Sequence, residues 1–492
     1  MRKATSMKNN RVLLIALLLA SILLLLLASC GHRYEAPAVS MPEKYLEERK
    51  FTVTEDEGNE ADLRVWWEQF NDPLLTCFID EALTANYDLL IAGTVVKQAR
   101  ANYQIQGAPL WPQLSATASE TRERLSQTLS FSQFQGPALQ NIYQFGFDAS
   151  WELDFCGKIQ SAKEAAYFQY EGAIENLRDI QVTMVAEVAM QYINIRTYQQ
   201  RLKVVKDLER VRADLVHLNT VNFEAGLIDD IVVEESKSLL EQTRAQIPIL
   251  ETSLQQSIFS LAILLGRQPE NIGQEFEEAA PIPIATGRVP LGLPSDLLKR
   301  RPDLRYAEQE LFAAMANVNV AKADFFPTIS LTAFFGYETT SSKLWTKWAS
   351  RAWNIGPNLN WSIFTGGALV GNFRLQKALR EQAKLTYEKT VITALGDVED
   401  SLVAYANEEV RQDHLSKALA KDTTARDLNL VLFRAGLSDF SPVLQTDELV
   451  LSDEDALLQS NQSLMIDLIS LYKALGGGWD YTPMEDPCCT TQ

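Results

Sequence analysis

The chain has 492 residues, is 46% hydrophobic and carries a formal net charge of −19, so it is long enough for two or three domains with sizeable cores. The acidic balance argues against nucleic acid as a partner. Five cysteines are too few for a disulfide scaffold, and three histidines without a CxxC or HExxH motif indicate no metal or histidine-based catalytic site. No nucleophile–base grouping stands out, so we do not expect an enzyme.

Residues 1–29 have the pattern of a secretory signal. Four basic residues precede the apolar run at 12–28, and small residues precede Cys30. The ending Leu-Ala-Ser-Cys resembles a bacterial lipobox, which implies cleavage before Cys30 and covalent diacylglycerol and N-acyl chains on it. Gly31 follows, where an aspartate would retain a Gram-negative lipoprotein in the inner membrane, so we expect the outer membrane. A run of 17 apolar residues would also suit a short membrane anchor, which stays the alternative.

The first predicted helix, at 73–108, opens a duplicated unit. Between the segments that start at Tyr87 and Pro302, 11 of 32 positions are identical. Two further blocks recur in the same order, namely WELDFCG with WSIFTGG and FEAGLIDDIVV with FRAGLSDFSPV. The chain is therefore predicted to be a tandem duplication, with repeats at 73–266 and 295–476.

Each repeat contains two predicted β-strands, in which apolar and polar residues alternate, as in YQFGFDASWELDF. The strands lie at about 111–124, 142–155, 326–338 and 353–364. Such strands have one apolar and one polar environment, and a length of ~10 residues suits a membrane-spanning strand. Trp345, Trp348 and Trp353 lie near the strand ends, where interfacial aromatic residues belong. Because four strands cannot close a barrel alone, either several chains combine or the sheet belongs to a soluble domain.

Each repeat ends with a predicted long helical hairpin. Residues 157–247 and 366–441 contain no proline, and apolar residues recur at spacings of three and four from Tyr198 to Leu218. The pattern is typical of a coiled-coil seam, and a helix of ~65 residues would be ~100 Å long. The periodicity alone would also suit a soluble helical bundle.

The order of these elements resembles the TolC-type outer-membrane factors, in which a shorter helix, a strand pair and a long hairpin are duplicated. The lipobox, KRRPDLRYAEQEL from Lys299, the WELDFCG and WSIFTGG pair and the closing LGGGW from Leu475 point to the lipoprotein branch (OprM/NodT-like) that serves RND-type pumps. The resemblance covers about 30–479, which is nearly the whole mature chain.

The resemblance implies an α+β membrane protein that assembles as a homotrimer. Each protomer would give four strands to a 12-stranded outer-membrane β-barrel, and its helices would join a periplasmic α-barrel of coiled-coil hairpins. The N-terminal segment 30–72, the connection 267–294 and the tail 477–492 would pack around the middle as an equatorial region.

The implied function is passive conduction. The protein would be the exit duct of a tripartite efflux system, conducting drugs or other solutes outward. An inner-membrane RND-type pump would supply the energy, coupled through a periplasmic adaptor (membrane fusion) protein.

In the family, the hairpin turns form the closed tip and meet the adaptor. The matching positions are Ala225, Gly226, Leu227, Ala435, Gly436 and Leu437. A helix-to-helix turn commonly needs a residue that tolerates positive φ, so the glycines also have a purely structural explanation. The leucines are better evidence for contact, since a turn needs no apolar residue for itself.

Related channels gate with inward side chains just past the second turn, including an aspartate ring. The aspartate position is Gln445 in this chain, a departure from the family pattern. The other gate candidates are Asp229, Asp230, Asp439 and Ser441. Three-fold repetition of like carboxylates would favour a cation-selective constriction. Acids at a helix start also suit the helix dipole, so a solvated helix start is the plainer interpretation.

A different class of protein stays open, namely a lipid-anchored periplasmic coiled-coil scaffold without a pore. A scaffold would not need four alternating segments of membrane-spanning length, so the strands discriminate between the two interpretations.

Overall fold

The computed structural model describes residues 34–37, 41–42, 44–46, 63–124, 139–285, 294–345 and 347–480. The predicted signal at 1–29 and the lipidation site Cys30 lie outside the described residues. Most of the predicted tail, including Cys488 and Cys489, also lies outside them.

The helices and strands follow the duplication. The first repeat contains α1 (Pro73–Ala85), α2 (Tyr87–Gly107), β1 (Gln113–Arg124), β2 (Leu139–Leu153), α3 (Lys158–Glu224) and α4 (Asp230–Leu264). The second contains α5 (Leu297–Arg300), α6 (Pro302–Ala323), β3 (Thr328–Thr339), β4 (Arg351–Asn360), α7 (Ala368–Arg434) and α8 (Ser441–Ala474). Helices α3 and α7 each have 67 residues, as the proline-free stretches led us to expect.

The prediction of one continuous helix at 73–108 was wrong, because Asn86 divides it into α1 and α2. Asn86 is extended, and its own N–H still bonds the carbonyl of Ala82. Its side-chain oxygen accepts hydrogen bonds from the backbone N–H groups of Asp88 and Leu89, at 2.8 and 3.1 Å. One asparagine therefore terminates the first helix and caps the second.

The chain divides into two compact units. The first comprises Val96–Ala173 and Ala307–Tyr387, together with the described residues 34–37. It holds one antiparallel sheet of four strands in the order β1-β2-β3-β4. Strands that are consecutive in the sequence pair throughout, and among the described residues the outer strands β1 and β4 each have one edge without a partner.

The second unit contains Ile174–Tyr306, residues 63–95 and residues 388–480. Its core is aromatic: Trp66 stacks on Tyr472 with ring centroids 5.2 Å apart, and Phe276 stacks on Phe78 at 5.7 Å. The Tyr192 hydroxyl donates a 2.6 Å hydrogen bond to Asp72. Parts of all three segments predicted to be equatorial therefore lie in this unit, including Gly477 and Trp479 near Trp66 and Arg178.

The two helices of the first hairpin pack along the predicted seam. Leu202 and Val205 of α3 are buried against Leu250 of α4, and Tyr198 adds to the cluster. Among the described residues, α4 is the helix whose length and composition would also suit a membrane span. Its contact with α3 identifies it as the returning arm of the hairpin.

Candidate functional site

The register of the sheet gives it two different faces. Phe147, Phe335 and Trp353 lie side by side across β2, β3 and β4, and all three side chains are exposed. On the opposite face, Glu152 pairs with Ser330, which pairs with Asn358. An apolar sheet face that is open in the single chain requires lipid or protein to cover it.

The duplication extends to the register of the strands. Ser115 pairs with Asp148 in β1–β2, and the corresponding positions of the second repeat, Ser330 and Asn358, pair in β3–β4. A tryptophan at the end of the sheet also makes an equivalent hydrogen bond in each repeat. The Trp151 indole N–H donates to the carbonyl of Leu110 at 3.0 Å, and the equivalent Trp361 donates to Phe325 at 3.1 Å. Each repeat therefore ties its second strand to the junction between its helix and its first strand.

The predicted adaptor-docking positions form two matching turns. After α3, the N–H of Gly226 bonds the carbonyl of Phe223 and that of Leu227 bonds Asn222, at 2.8 and 2.9 Å. After α7, Gly436 and Leu437 bond Phe433 and Leu432 at 2.9 and 3.0 Å. The pattern is the Schellman motif, and both glycines have a φ of 70°, which favours glycine.

The side chains of the turns point into solvent. Leu227 is 72% exposed and Leu437 is 76% exposed, and Ala225 and Ala435 are also exposed. A Cβ atom at either glycine would meet nothing within 4 Å. The structure therefore leaves room for a partner at both turns.

The candidate gate residues are arranged differently at the two turns. Asp229 occupies the N-cap position of α4, and Asp230 lies in the first turn; both are exposed. At the second turn Asp439 is exposed, Ser441 begins α8 and Gln445 is exposed one turn later. Within one chain, Asp229 and Asp230 therefore lie together at the first turn. Asp439, Ser441 and Gln445 lie at or just after the second turn.

The second turn carries an aromatic contact and an ion pair. Phe440, which replaces Asp230 of the first repeat, packs on Phe433 with ring centroids 4.9 Å apart. Asp447 faces Arg426 at 3.8 Å across the hairpin. Burial raises the pKa of Asp447 above its usual value, and Arg426 opposes that shift. This carboxylate is therefore engaged within its own hairpin.

Sequence analysis missed a polar seam between the two hairpins. Gln462 of α8 donates to Asn194 of α3 at 2.7 Å, and the Arg201 guanidinium contacts Asp455 at 2.7 and 3.2 Å. Arg212 donates to Glu448 further along both helices. The residue numbers rise along α3 as they fall along α8, so the helices run antiparallel. The sequence did not indicate these contacts, because the partners lie about 240–270 residues apart and single polar or charged residues are common on long helices.

Among the residues that the structure describes, no group of three or more His, Cys, Asp or Glu side chains could hold a metal ion. The described functional features are instead the two-faced sheet, the paired turns and the polar seam.

Comparison with known proteins gives consistent matches over most of the chain. The family model for outer membrane efflux proteins (OEP) matches residues 78–267 and 293–477. The solvent efflux pump outer membrane protein SrpC of Pseudomonas putida is 32% identical over 413 residues, covering 84% of this chain and 87% of SrpC. The pyoverdine export outer membrane protein OpmQ of Pseudomonas aeruginosa is 30% identical over 426 residues, covering 85% and 88%. The solved outer-membrane channel OprN matches with a TM-score of 0.83 at 28% identity, covering 91% of this chain and 99% of OprN.

Proposed function

This chain belongs to the outer membrane efflux protein family, and we propose that three copies of it form the exit duct of a tripartite efflux system whose periplasmic adaptor meets the helix-hairpin turns. The resemblance predicted from the sequence is confirmed, and with it the helical-barrel and β-barrel fold of an outer-membrane channel that extends into the periplasm. The protein is a transport protein. We propose that conduction through it is passive and involves no bond making or breaking.

The two-faced sheet carries this proposal. Its apolar face suits contact with lipid, and its polar face suits an aqueous lumen. The unpaired edges of β1 and β4 would be satisfied if neighbouring copies joined them into one barrel. The alternative of a scaffold without a pore accounts for the hairpins but leaves the exposed apolar face of the sheet uncovered.

Adjacent residues on opposite faces of β4 test the proposal. Ile355→Lys places a charge on the apolar face near the middle of the strand, whereas Asn354→Lys places the same charge on the polar face. A lysine facing lipid costs about 2–4 kcal/mol near the bilayer midplane. We therefore expect the first variant to lose most of the heat-resistant oligomer from outer-membrane fractions, and the control to keep it. Equal behaviour of the two variants would contradict a membrane-spanning sheet.

The wild-type oligomer should also conduct ions in planar bilayers and restore solute resistance to cells that lack their own exit duct. The relatives are named for solvents and for pyoverdine, and we propose small organic solutes as the cargo class here. We further propose an RND-type transporter as the inner-membrane pump, as the lipoprotein branch resemblance implies.

We propose that the adaptor contacts Ala225, Gly226, Leu227, Ala435, Gly436 and Leu437. Gly436→Trp adds bulk at an open position, and Gly436→Ala adds the same backbone strain without the bulk. The tryptophan variant should assemble but lose export and cross-linking to the adaptor, while the alanine control keeps both. Export that survives in an assembled Gly436→Trp channel would show that the adaptor docks elsewhere.

We propose that Asp229, Asp230 and Asp439, with Ser441 and Gln445 beside them, line the closed end of the duct. Exposed carboxylates repeated by three-fold symmetry would attract cations and repel one another. Asp229→Ala with Asp439→Ala should raise conductance and reduce cation preference in bilayers. Asp413→Ala removes an exposed acid that pairs with Lys417 away from the turns and is the control. Unchanged conductance and selectivity would exclude Asp229 and Asp439 from the gate.

We propose that Cys30 carries the diacylglycerol and N-acyl chains that the lipobox implies, and that these hold the N-terminus in outer-membrane lipid. Cys30→Ser should abolish incorporation of labelled palmitate into the protein. Labelling that persists in this variant would contradict acylation at Cys30.

A further inference from the structure

The described N-terminal segment is held by the side chain of Tyr34. Its hydroxyl donates a 2.6 Å hydrogen bond to Oε2 of Glu164 on α3. Its ring packs edge-on against Phe168 with centroids 5.0 Å apart, and Phe312 of α6 lies 6.4 Å away. Phe168 and Phe312 also contact each other at 5.4 Å. We call the site formed by Glu164, Phe168 and Phe312 the N-terminal dock.

The dock combines two kinds of interaction that hold a tyrosine well. Edge-to-face aromatic contacts are favourable beyond the area that they bury, and a hydrogen bond to a carboxylate is stronger than one between neutral groups. Burial and the neighbouring Glu164 raise the pKa of Tyr34 above its usual value, so the phenol remains a donor. Residues 34–37 belong to no helix or strand, so side-chain contacts give this segment a defined place.

The dock includes a residue near the start of α3, the helix that follows β2 of the sheet. Glu164 is six residues after the start of α3, which is ~9 Å along the helix axis. Tyr34 follows Cys30 by four residues, and four extended residues span at most ~14 Å. A lipid group on Cys30 could therefore reach past the start of α3 but not far across a bilayer core of ~30 Å.

We propose that Tyr34 is a positioning residue: docked on Glu164, Phe168 and Phe312, it sets the height of the N-terminus so that the lipid chains of Cys30 enter the membrane leaflet next to the periplasmic end of the sheet. This inference rests on the proposed acylation of Cys30 and not on the proposed conduction. Its partner is a lipid surface, reached through a tether that can span at most ~14 Å.

Chymotrypsin cleavage after Tyr34 tests the docking directly, because the protease must take the same ring into its own pocket. The full-length protein in isolated outer membranes is digested, and the initial rate of cleavage at the 34–35 bond is measured by mass spectrometry. When reclosing is fast, this rate follows the population of the undocked state. Tyr34→Phe removes the hydrogen bond and leaves a cleavable ring, so we expect cleavage about tenfold faster.

A matched control lies on the same helix. Glu164→Ala should accelerate cleavage, and the double variant should be little faster than Tyr34→Phe alone, since the Tyr34–Glu164 bond is already absent in that variant. Glu209→Ala removes another α3 carboxylate, one that accepts a hydrogen bond from Arg244 well beyond the dock along the helix. Its rate should equal that of the wild type. Equal rates for wild type, Tyr34→Phe and Glu164→Ala would overturn the docking.

The length of the tether is tested separately. Deletion of His32 and Arg33 shortens it to ~7 Å, so membrane-inserted lipid should pull Tyr34 out of the dock. We expect at least tenfold faster cleavage in the acylated protein, and slow cleavage in a non-acylated form exported with an ordinary secretory signal. Slow cleavage in both forms would overturn the proposed height. Loss of conduction in any variant would concern only the proposed function, and the cleavage rates would still report on the docking of Tyr34.

Discussion

Asn86 and Arg301 occupy the same position in the two repeats and make the same contact with different side chains. Asn86 Nδ2 donates to the carbonyl of Leu264 at 2.8 Å, and Arg301 Nη1 donates to that of Ala474 at 3.0 Å. Leu264 and Ala474 are the last residues of α4 and α8, where backbone carbonyl groups lack partners within the helix. In each repeat, the side chain of the residue just before α2 or α6 therefore bonds the end of the last helix.

The second residue after the end of α4 and of α8 is a glycine with positive φ, 69° at Gly266 and 75° at Gly476. The two glycines differ in how closely the chain approaches them. A Cβ at Gly266 would lie 2.5 Å from the backbone oxygen of Ala85, whereas one at Gly476 would lie 3.2 Å from the nearest atoms of Arg301. Real Cβ atoms essentially never approach another atom as closely as 2.5 Å, so an alanine at position 266 would require the backbone of Ala85 to move. Ala85 is the last residue of α1, so its oxygen can move only together with the end of that helix.

We expect Gly266→Ala to destabilise the protein by roughly 3 kcal/mol, combining left-handed backbone strain with the clash at Ala85. Gly226→Ala is the control, because Gly226 has a φ of 70°, close to that of Gly266, and open space around it. It should cost roughly 1 kcal/mol. The measurement is thermal unfolding of the detergent-solubilised protein followed by circular dichroism. A Gly266→Ala midpoint as high as that of Gly226→Ala would show that α1 relaxes away from the turn.

At the scale of elements, the ion pairs between α3 and α8 differ from the other charges on the hairpins. Arg201 and Asp455 are only 20% and 23% exposed and contact each other at 2.7 Å. Lys206 and Glu251 link α3 to α4 at 3.6 Å and are 57% and 53% exposed. Partly buried, bidentate pairs retain more of their attraction than exposed pairs, which are screened by water and salt.

A double-mutant cycle should separate the two cases. Arg201→Ala and Asp455→Ala should show a coupling energy of about 1–2 kcal/mol in thermal unfolding, whereas Lys206→Ala and Glu251→Ala should show less than about 0.5 kcal/mol. Raising the salt concentration should weaken the second coupling more than the first. Similar couplings for both pairs would mean that the seam between the hairpins is as solvated as the outer surface.

The long elements were predictable from the sequence because their signals are local. Absence of proline and a three-four apolar spacing identified α3, and alternation identified the strands. The break at Asn86 was missed: its capping bonds to Asp88 and Leu89 are local, but the same side chain is also held by a carbonyl 178 residues away, which the sequence does not indicate. The dock of Tyr34 and the α3–α8 pairs likewise require partners that only the folded chain supplies. The turns were located from the repeated Ala-Gly-Leu, but their role as docking sites stays a prediction.

For the whole molecule, the exact repetition of strand register has a consequence for assembly. Adding 215 to a residue number in β1 and 210 to the number of its partner in β2 gives a pair of residues in β3–β4. For example, Ser115–Asp148 corresponds to Ser330–Asn358. Among the described strands, the remaining pairing is that of β2 with β3. In a closed trimer, β4 of one copy meets β1 of the next, and the duplication makes this pair the counterpart of β2–β3.

The same mapping therefore gives the register between copies. Asp148 pairs with Phe334 within the chain, so Asn358 should pair with Ser119 of a neighbouring copy, and Ala149–Ala333 predicts Leu359 with Ala118. In a background that carries Cys77→Ala, Cys156→Ala, Cys488→Ala and Cys489→Ala, the double variants Asn358→Cys with Ser119→Cys and Leu359→Cys with Ala118→Cys sample both kinds of antiparallel pair. Directly opposed Cβ atoms are ~4.5–5.5 Å apart, and the closer kind of pair is near the separation that a disulfide requires.

We expect mild oxidation to cross-link at least one of these double variants into trimers on a denaturing gel, with reversal by reductant. The control, Asn358→Cys with Ala118→Cys, shifts the pairing by one residue and points the two thiols to opposite faces of the sheet. It should remain monomeric on the same gel. Cross-linking of the control in place of the predicted pairs would mean that the junction between copies departs from the register of the internal junction, and that the pseudo-symmetry of the duplication stops at the subunit boundary.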